Sequence, residues 1–370
     1  MEILIFIVVL SVLVLVHELG HFLVAKFFGV KVEEFGFGFP PKIFGIKKGE
    51  TLYSINLLPI GGFVKLYGED EAGGGKITAT RRITGTHIPD FHRTFIGRPV
   101  WQRFLIVIAG VVMNFLLAVL LISYLFGVAG VSAPGDKVII TEVAKGSPAE
   151  VAGLAPNQQI LEINGKKIVS SGQLISTTRQ NLGKEIVLKV LDKNSIRVVR
   201  AVPREHYPSG QGPLGVAITQ NIVTKKYPWY IAPIAGTKES LSRSWLIASS
   251  LGSTVTQIAK EKTIPGGVAG PIGVAQLTGE LVKFGPLAVL NLVSLISLNL
   301  AILNVLPIPA LDGGRLFFII VEGITRKKVS PKVEGYVHAA GMAVLLTLIA
   351  LITFQDLARI LAGKSLLPKP

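Results

Sequence analysis

The sequence His17-Glu18-Leu19-Gly20-His21 places two histidines four residues apart, so on a helix both lie on one face and reach one metal ion. A glutamate beside the first histidine is placed to take a proton from an activated water. The run Ile3–Val16 ahead of this motif is uncharged and nearly all apolar, and Phe22–Ala25 follow it before Lys26. Three ionisable side chains inside a stretch that reads as membrane-spanning are costly, so they need a compensating partner or a function. A metal supplies both.

The chain has no cysteine, which excludes thiolate zinc sites, disulfides and cysteine catalysis. A catalytic zinc takes three protein ligands and leaves a fourth position for water. His17 and His21 supply two, and the acidic residue that stands out as a third is Asp312. It lies in Asn304-Val305-Leu306-Pro307-Ile308-Pro309-Ala310-Leu311-Asp312-Gly313-Gly314, where two prolines break a helix and two glycines let the backbone turn sharply. A broken helix at membrane depth is tolerated where it lines a cavity. The alternatives for Asp312 are a helix cap or a salt bridge to Arg315. Asn304 could hydrogen-bond a substrate backbone or an oxyanion beside the metal, or serve as a bond between helices. Asn114 reads as interhelical hydrogen bonding. His87, His92 and His206 read as loop residues, and His338 opens an apolar segment without being a ligand.

The elements that must position these residues follow from composition. The chain of 370 residues is 49% hydrophobic and 16% charged, with a mean hydropathy of +0.55. That charged share is well below the roughly one quarter of a soluble domain, so an integral membrane protein is expected. The net charge of +15 is spread along the chain without an aromatic-basic motif. Anionic headgroups and cytoplasmic loop bias account for it, and no nucleic-acid partner is expected. Four segments have the length of a span: Glu2–Ala25, Phe104–Ala129, Leu287–Val305 and Val337–Phe354. The first lacks a basic leader region and a small-residue cleavage pattern, so it is expected to be retained. Trp245–Ile258 is too polar and short to span and reads as an amphipathic helix on the membrane or beside the bundle.

Between the first two spans, Tyr53–Leu58, Pro59-Ile60-Gly61-Gly62 and Phe63–Tyr67 read as a β-hairpin or small sheet around a glycine turn. Glu71–Thr86 is Gly-rich, charged and expected to be mobile. Gly36–Pro41 and Gly266–Pro271 read as loops near the membrane. From Val138 to Arg204 the composition is that of a soluble α+β module, with a capped short helix at Gly146–Leu154, a strand pair around Asn164-Gly165, a helix over Ser170–Gln180 and a final hairpin. Arg315, Arg326, Lys327, Lys328 and Lys332 against Glu322 and Glu334 put the connection after the third span in the cytoplasm. With four spans, Lys26–Arg98 is then cytoplasmic and the module lies on the far side.

The first-span motif, the Asn304–Gly314 motif and the inserted module together resemble bacterial site-2 proteases of the RseP/RasP type (peptidase M50) over nearly the whole chain. The module resembles a PDZ domain through Gly146-Ser147-Pro148-Ala149, Ala152-Gly153-Leu154 and Ile163-Asn164-Gly165. Gly212–Val216 and Gly270–Ala275 are similar to further family segments. The chain departs from relatives in having one such module where some have two, and Val111 where proline is common. The resemblance implies a mainly α-helical polytopic membrane protein with four transmembrane helices, a membrane-associated β-hairpin and an inserted α+β PDZ-like domain. The expected divisions are 1–129, 130–218, 219–286 and 287–370. It further implies one Zn2+ per chain on His17, His21 and Asp312, with Glu18 as general base. The Tyr53–Tyr67 stretch, through Tyr53, Ile55, Leu57, Phe63 and Lys65, would hold an extended substrate together with Asn304. Substrates would be membrane-anchored proteins or peptides with a transmembrane segment, such as anti-sigma factors or remnant signal peptides. The setting would be the bilayer of a bacterial cytoplasmic membrane, with the active site toward the cytoplasm and the PDZ-like domain outside.

Two other classes compete on residues alone. A non-catalytic adaptor would use the module to capture peptide tails and would not need Glu18 or Asp312. An ion transporter also uses intramembrane His and Asp, but it needs a polar path that the second and fourth spans hardly offer.

Overall fold

A computed structural model describes residues 2–69, 90–208, 210–261, 269–327 and 329–362. Glu71–Thr86, His87, Gly266–Val268 and Lys328 lie outside the described residues. In chain order the elements are α1 (Glu2–Phe27), β1 (Val32–Lys48), β2 (Thr51–Leu66) and α2 (Val100–Val128). Next come β3 (Val131–Val143), α3 (Pro148–Val151), β4 (Gln159–Ile163), β5 (Lys166–Lys167), α4 (Ser171–Gln180), β6 (Ile186–Asp192), β7 (Ser195–Ala201) and β8 (Val216–Lys225). The chain ends with α5 (Ala232–Glu261), α6 (Pro271–Val282), α7 (Pro286–Val305), α8 (Asp312–Thr325) and α9 (Pro331–Leu361). Two compact units result: Met1–Val128 with Pro228–Pro370, and Ala129–Tyr227.

In the first unit, α1, α2, α7 and α9 contain stretches long and apolar enough to cross a membrane. The chain is a polytopic membrane protein. Three elements differ from expectation. Trp245–Ile258 is helical and lies beside the bundle, one of the two expected places, but it is part of the longer α5, a 30-residue helix that packs on α2 and α7. Its contact with α2 is tight at Gly236, where a Cβ would run into Ser123 Oγ. The Gly-Pro segment starts α6, with Pro271 in its first turn. Asp356 of α9, fully buried, accepts the backbone N–H of Gly270 at 2.9 Å and of Gly273 at 2.7 Å. An acceptor supplied from a distant helix cannot be read locally. The connection after the third span is itself a helix, α8, whose buried face carries Leu316 and Ile319.

β1 and β2 pair antiparallel, but each bends and serves twice. Phe35 is partnered by Val64 on one side and Tyr53 on the other, and Tyr53 by Ile46 beyond it. The segments therefore lie in the order 62–66, 32–37, 51–56, 42–48. This corrects the expected hairpin, because Tyr53–Leu58 and Phe63–Tyr67 are separated by Glu34–Phe37 instead of pairing. Pro59–Gly62 is a crossover. Gly61 takes φ +79 there, and a Cβ on Gly62 would lie 2.9 Å from Gly36 O. Ser11 of α1 ties the crossover down by donating to Pro59 O at 2.6 Å. Alternation specifies strands and faces but not which neighbour a strand pairs with. At the Lys48–Thr51 turn, Glu50 accepts from Lys26 at 2.7 Å and Arg93 at 2.5 Å. The Lys26 hydrogen bond holds the Glu50 carboxyl below the ordinary carboxylate range. The stability this tie gives is therefore complete above the ordinary carboxylate range and is lost as pH falls from that range through the lowered Glu50 value.

In the second unit the sheet order is β7-β6-β4-β3-β8, with β5 beside β4. Ser147 caps α3 by accepting from Glu150 N, Ser170 caps α4 from Gln173 N, and Asn164 and Gly165 both have positive φ in the turn. Fourteen buried residues, including Ile140, Ile160, Ile163, Leu174 and Leu188, form its core. The unit runs on to Tyr227, past the expected 218, because β8 pairs with β3 from Val216 to Lys225.

Asp356 also accepts from Arg359 at 2.7 Å. Asp356→Ala leaves these donors without their acceptor, an expected loss of about 3 kcal/mol. Thermal unfolding of the detergent-solubilised chain checks this, with Asp356→Asn falling in between. Equal midpoints for wild type and Asp356→Ala would refute the cap.

Candidate metal centre

His17 and His21 lie on one face of α1 and are 7% and 8% exposed. The neighbouring α2 comes close because of two glycines. A Cβ on Gly20 would lie 2.8 Å from Met113 Cγ. A Cβ on Gly110 would lie 2.7 Å from His17 Cε1 and would run into His21 Nε2. The imidazoles thus occupy the volume that a side chain at position 110 would fill.

Asp312 arrives from the other direction. α7 ends at Val305, and Pro307 and Pro309 cannot supply the N–H groups that would continue it. Ala310 turns the chain at φ 78, and α8 starts at Asp312. Gly313 is required because a Cβ there would overlap Leu306 O. As a result Asp312 Oδ2 lies 2.8 Å from His17 Nε2, across 295 residues of sequence. It is 3.3 Å from His21 Nε2, and the two Nε2 atoms are 3.2 Å apart. Asp312 is not the residue that caps α8, and Arg315 pairs closely with Glu69. Both alternative roles for Asp312 are displaced by its contacts with the histidines.

The donor set fits a zinc ion. Two imidazole nitrogens and a carboxylate oxygen lie within 4.8 Å of one another. The far side of each ring is held as well. His21 Nδ1–H donates to Ile106 O at 2.8 Å, which leaves the Nε2 lone pair for a metal. His17 Nδ1 lies 3.3 Å from the Asn114 side-chain amide. Asn114 Oδ1 is buried with no partner among the described residues. Turning that amide over places Oδ1 on His17 Nδ1–H, satisfies both groups and leaves the second Nε2 lone pair for a metal.

Glu18 points to the sheet. Its Oε2 accepts from Val64 N at 3.1 Å, and Glu69 Oε2 accepts from Leu66 N at 3.3 Å. Segment 62–66 therefore presents its outer N–H groups to two carboxylates. Of the expected substrate-holding residues, Phe63 and Lys65 belong to this segment. Tyr53, Ile55 and Leu57 lie beyond segment 32–37, where Tyr53 packs near Phe22 and Phe35 with ring centroids 6.1 and 6.4 Å away. Asn304 sits near the end of α7, half-buried, and makes none of the hydrogen bonds that hold the two imidazoles. Sequence reasoning missed Gly110 and Glu69, and it read Asn114 as interhelical hydrogen bonding, which it makes, without naming His17 as the partner. A signal existed for Gly110 and for that partner, since Gly110 and Asn114 are four apart and so share one face of a span.

The profile of Peptidase family M50 matches residues 5–348. The zinc metalloprotease RasP of Bacillus licheniformis is 30% identical, covering 96% of this chain and 98% of its own length. The regulator of sigma-W protease RasP of Bacillus subtilis is 28% identical with the same coverage of both chains, 96% and 98%. Among solved structures, the PDZ domain of an SdrC-like protein from Listeria monocytogenes is 19% identical, covering 24% of this chain and 94% of its own, with a TM-score of 0.21.

The packing at Gly110 and the Asn114 contact predict two graded defects. Gly110→Ala displaces the imidazoles and abolishes metal retention. Asn114→Ala frees the His17 ring and weakens metal binding by about 10- to 100-fold. Metal content after dialysis against graded chelator measures both, and wild-type retention in the two variants would contradict this geometry.

Proposed function

Because the chain belongs to peptidase family M50 and is a zinc metalloprotease, we propose that it cuts its substrates at membrane depth. In this reading His17, His21 and Asp312 hold one Zn2+ per chain and Glu18 is the general base. The observation that carries it is the meeting of both α1 histidines with Asp312, delivered by a helix broken at the end of an apolar span. Zinc supplies Lewis-acid polarisation of the scissile carbonyl and a water of lowered pKa. Glu18, one residue from His17, takes a proton from the attacking water and returns it to the leaving amine. Asn304 is assigned to the substrate backbone beside this centre.

A helical substrate hides its carbonyls in internal hydrogen bonds, so it has to unwind before it is cut. Segment 62–66, with Phe63 and Lys65, is the edge to which an extended substrate adds as a strand. Val64 N–H is the donor such a strand would use, and Glu18 accepts from it here. A substrate carbonyl taking that N–H would release Glu18 Oε2 to the water. The substrates are single-span membrane proteins such as anti-sigma factors and remnant signal peptides. The name of the Bacillus subtilis relative, a regulator of sigma-W protease, supports the first class. The PDZ-like module, Ala129–Tyr227, is assigned the filtering of substrates.

The setting is a bacterial cytoplasmic membrane. Arg315, Arg326 and Lys327 after α7 favour the cytoplasm for that connection. With four spans this puts the metal centre toward the cytoplasmic side and the module outside.

Co-expression with a tagged single-span substrate tests the proposal. Glu18→Gln should keep its zinc and lose cleavage by about 10²- to 10⁴-fold. His17→Ala and Asp312→Ala should lose both. Wild-type cleavage by zinc-loaded Glu18→Gln would exclude Glu18 as the base.

A further inference from the structure

Along α9, whose apolar side chains are mostly exposed, His338 and Asp356 are buried polar residues. Asp356 is accounted for by the α6 cap. His338, 7% exposed, is accounted for only on one side. Its Nδ1 accepts from Ala310 N at 3.0 Å, in the turn that delivers Asp312. A neutral imidazole that accepts at Nδ1 carries its proton at Nε2. That Nε2–H is buried and has no hydrogen-bond partner among the described residues, with Glu334 Oε1 4.0 Å away.

His338 lines a cavity of about 540 Å³. Gly335, His338, Ala339 and Met342 of α9 form one wall at helical spacing, and Asp312 and Arg315 of α8 contribute the other. A Cβ on Gly335 would meet nothing within 4 Å. Arg315 is engaged by Glu69, so the cavity offers a neutral donor and apolar surface in preference to a bare cation. Its volume falls in the range of ligand pockets.

We propose that this cavity is a substrate subsite of the peptidase reaction. It takes an apolar side chain of the unwound segment next to the scissile bond, and His338 Nε2–H donates to a backbone carbonyl of that segment. Asp312 lines the cavity, and in an extended strand neighbouring residues advance only about 3.3 Å each. Residues flanking a bond held at the metal centre therefore fall within its reach. The subsite rests on the peptidase reading, and it makes His338 a specificity-determining residue.

The test uses the purified, zinc-loaded full chain in detergent and three peptides that differ only in Ala, Leu or Phe beside the scissile bond. His338→Asn keeps an acceptor for Ala310 N and removes the Nε2 donor. His338→Gln restores a donor near the Nε2 position and gives up the Ala310 contact. His338→Asn should raise KM about tenfold with kcat little changed and one zinc per chain retained. His338→Gln should bring KM back toward wild type while holding zinc less tightly. Gly335→Leu should lower kcat/KM for the Leu and Phe peptides about tenfold more than for the Ala peptide. An unchanged KM in His338→Asn, or zinc loss in that variant, overturns the subsite, as does an equal effect of Gly335→Leu on all three peptides. A zinc-loaded wild type that cuts none of them overturns the peptidase reading beneath it.

Discussion

Two imidazoles and a carboxylate in mutual contact at the buried junction of α1, α2 and α8 set the terms for the rest of the membrane unit. Each ionisable group at membrane depth costs on the order of 3 kcal/mol on insertion scales, and more if left unpaired. The arrangement persists only if the three groups compensate one another and the cation that suits them. That needs backbones close enough for side chains to touch, which is what Gly20 and Gly110 allow where α1 and α2 meet. It also needs a carboxylate brought in at the right height, which a continuous third helix would not do. The helix is therefore broken, the break is supported from α9 by His338, and the far end of α8 is tied to α2 by a part-buried ion pair, Arg103 to Glu322 at 2.7 Å. Ala25, Ile106, Leu316 and Ile319 fill the space between these helices and fix their ends together.

The same constraint explains what could be read from the sequence. Spans are legible because hydropathy is additive along the chain, and α7 begins within a residue of where composition put it. The meeting of His17, His21 and Asp312 could be anticipated because zinc chemistry requires particular residue types at particular spacings, and because charge is conspicuous in an apolar run. The second unit was legible from its punctuation: Ser147, Asn164-Gly165 and Ser170 mark caps and a turn by local hydrogen bonding and positive φ.

What failed was anything decided by a distant partner. α6 depends on an acceptor 86 residues away in sequence, so its start reads as a Gly-Pro loop. Pro59–Gly62 carries the composition of a hairpin turn, yet it crosses over because segment 32–37 intervenes. Asn114 reads as an interhelical hydrogen bond, which it makes, but its partner His17 could not be named from the sequence. In each case the residue types were noticed and the partner was not, since a periodicity specifies a face without naming what faces it.

The edge of the small sheet shows how closely structure and chemistry are joined here. An unpaired strand edge near the bilayer is expensive, because its N–H groups have no water to turn to. In this chain Val64 and Leu66 direct theirs to Glu18 and Glu69. Glu69 is tied in turn to Arg315, three residues beyond Asp312. The two carboxylates that satisfy the strand edge are thus also the ones beside His17 and paired with Arg315. Neither can be altered alone. Moving Glu18 leaves a strand donor unmet, and moving Glu69 leaves both a strand donor and the part-buried Arg315 guanidinium unmet. The sheet is therefore part of the electrostatics around His17, His21 and Asp312 as well as a surface beside them, which is why a fold of otherwise apolar helices carries a strand so near these three residues.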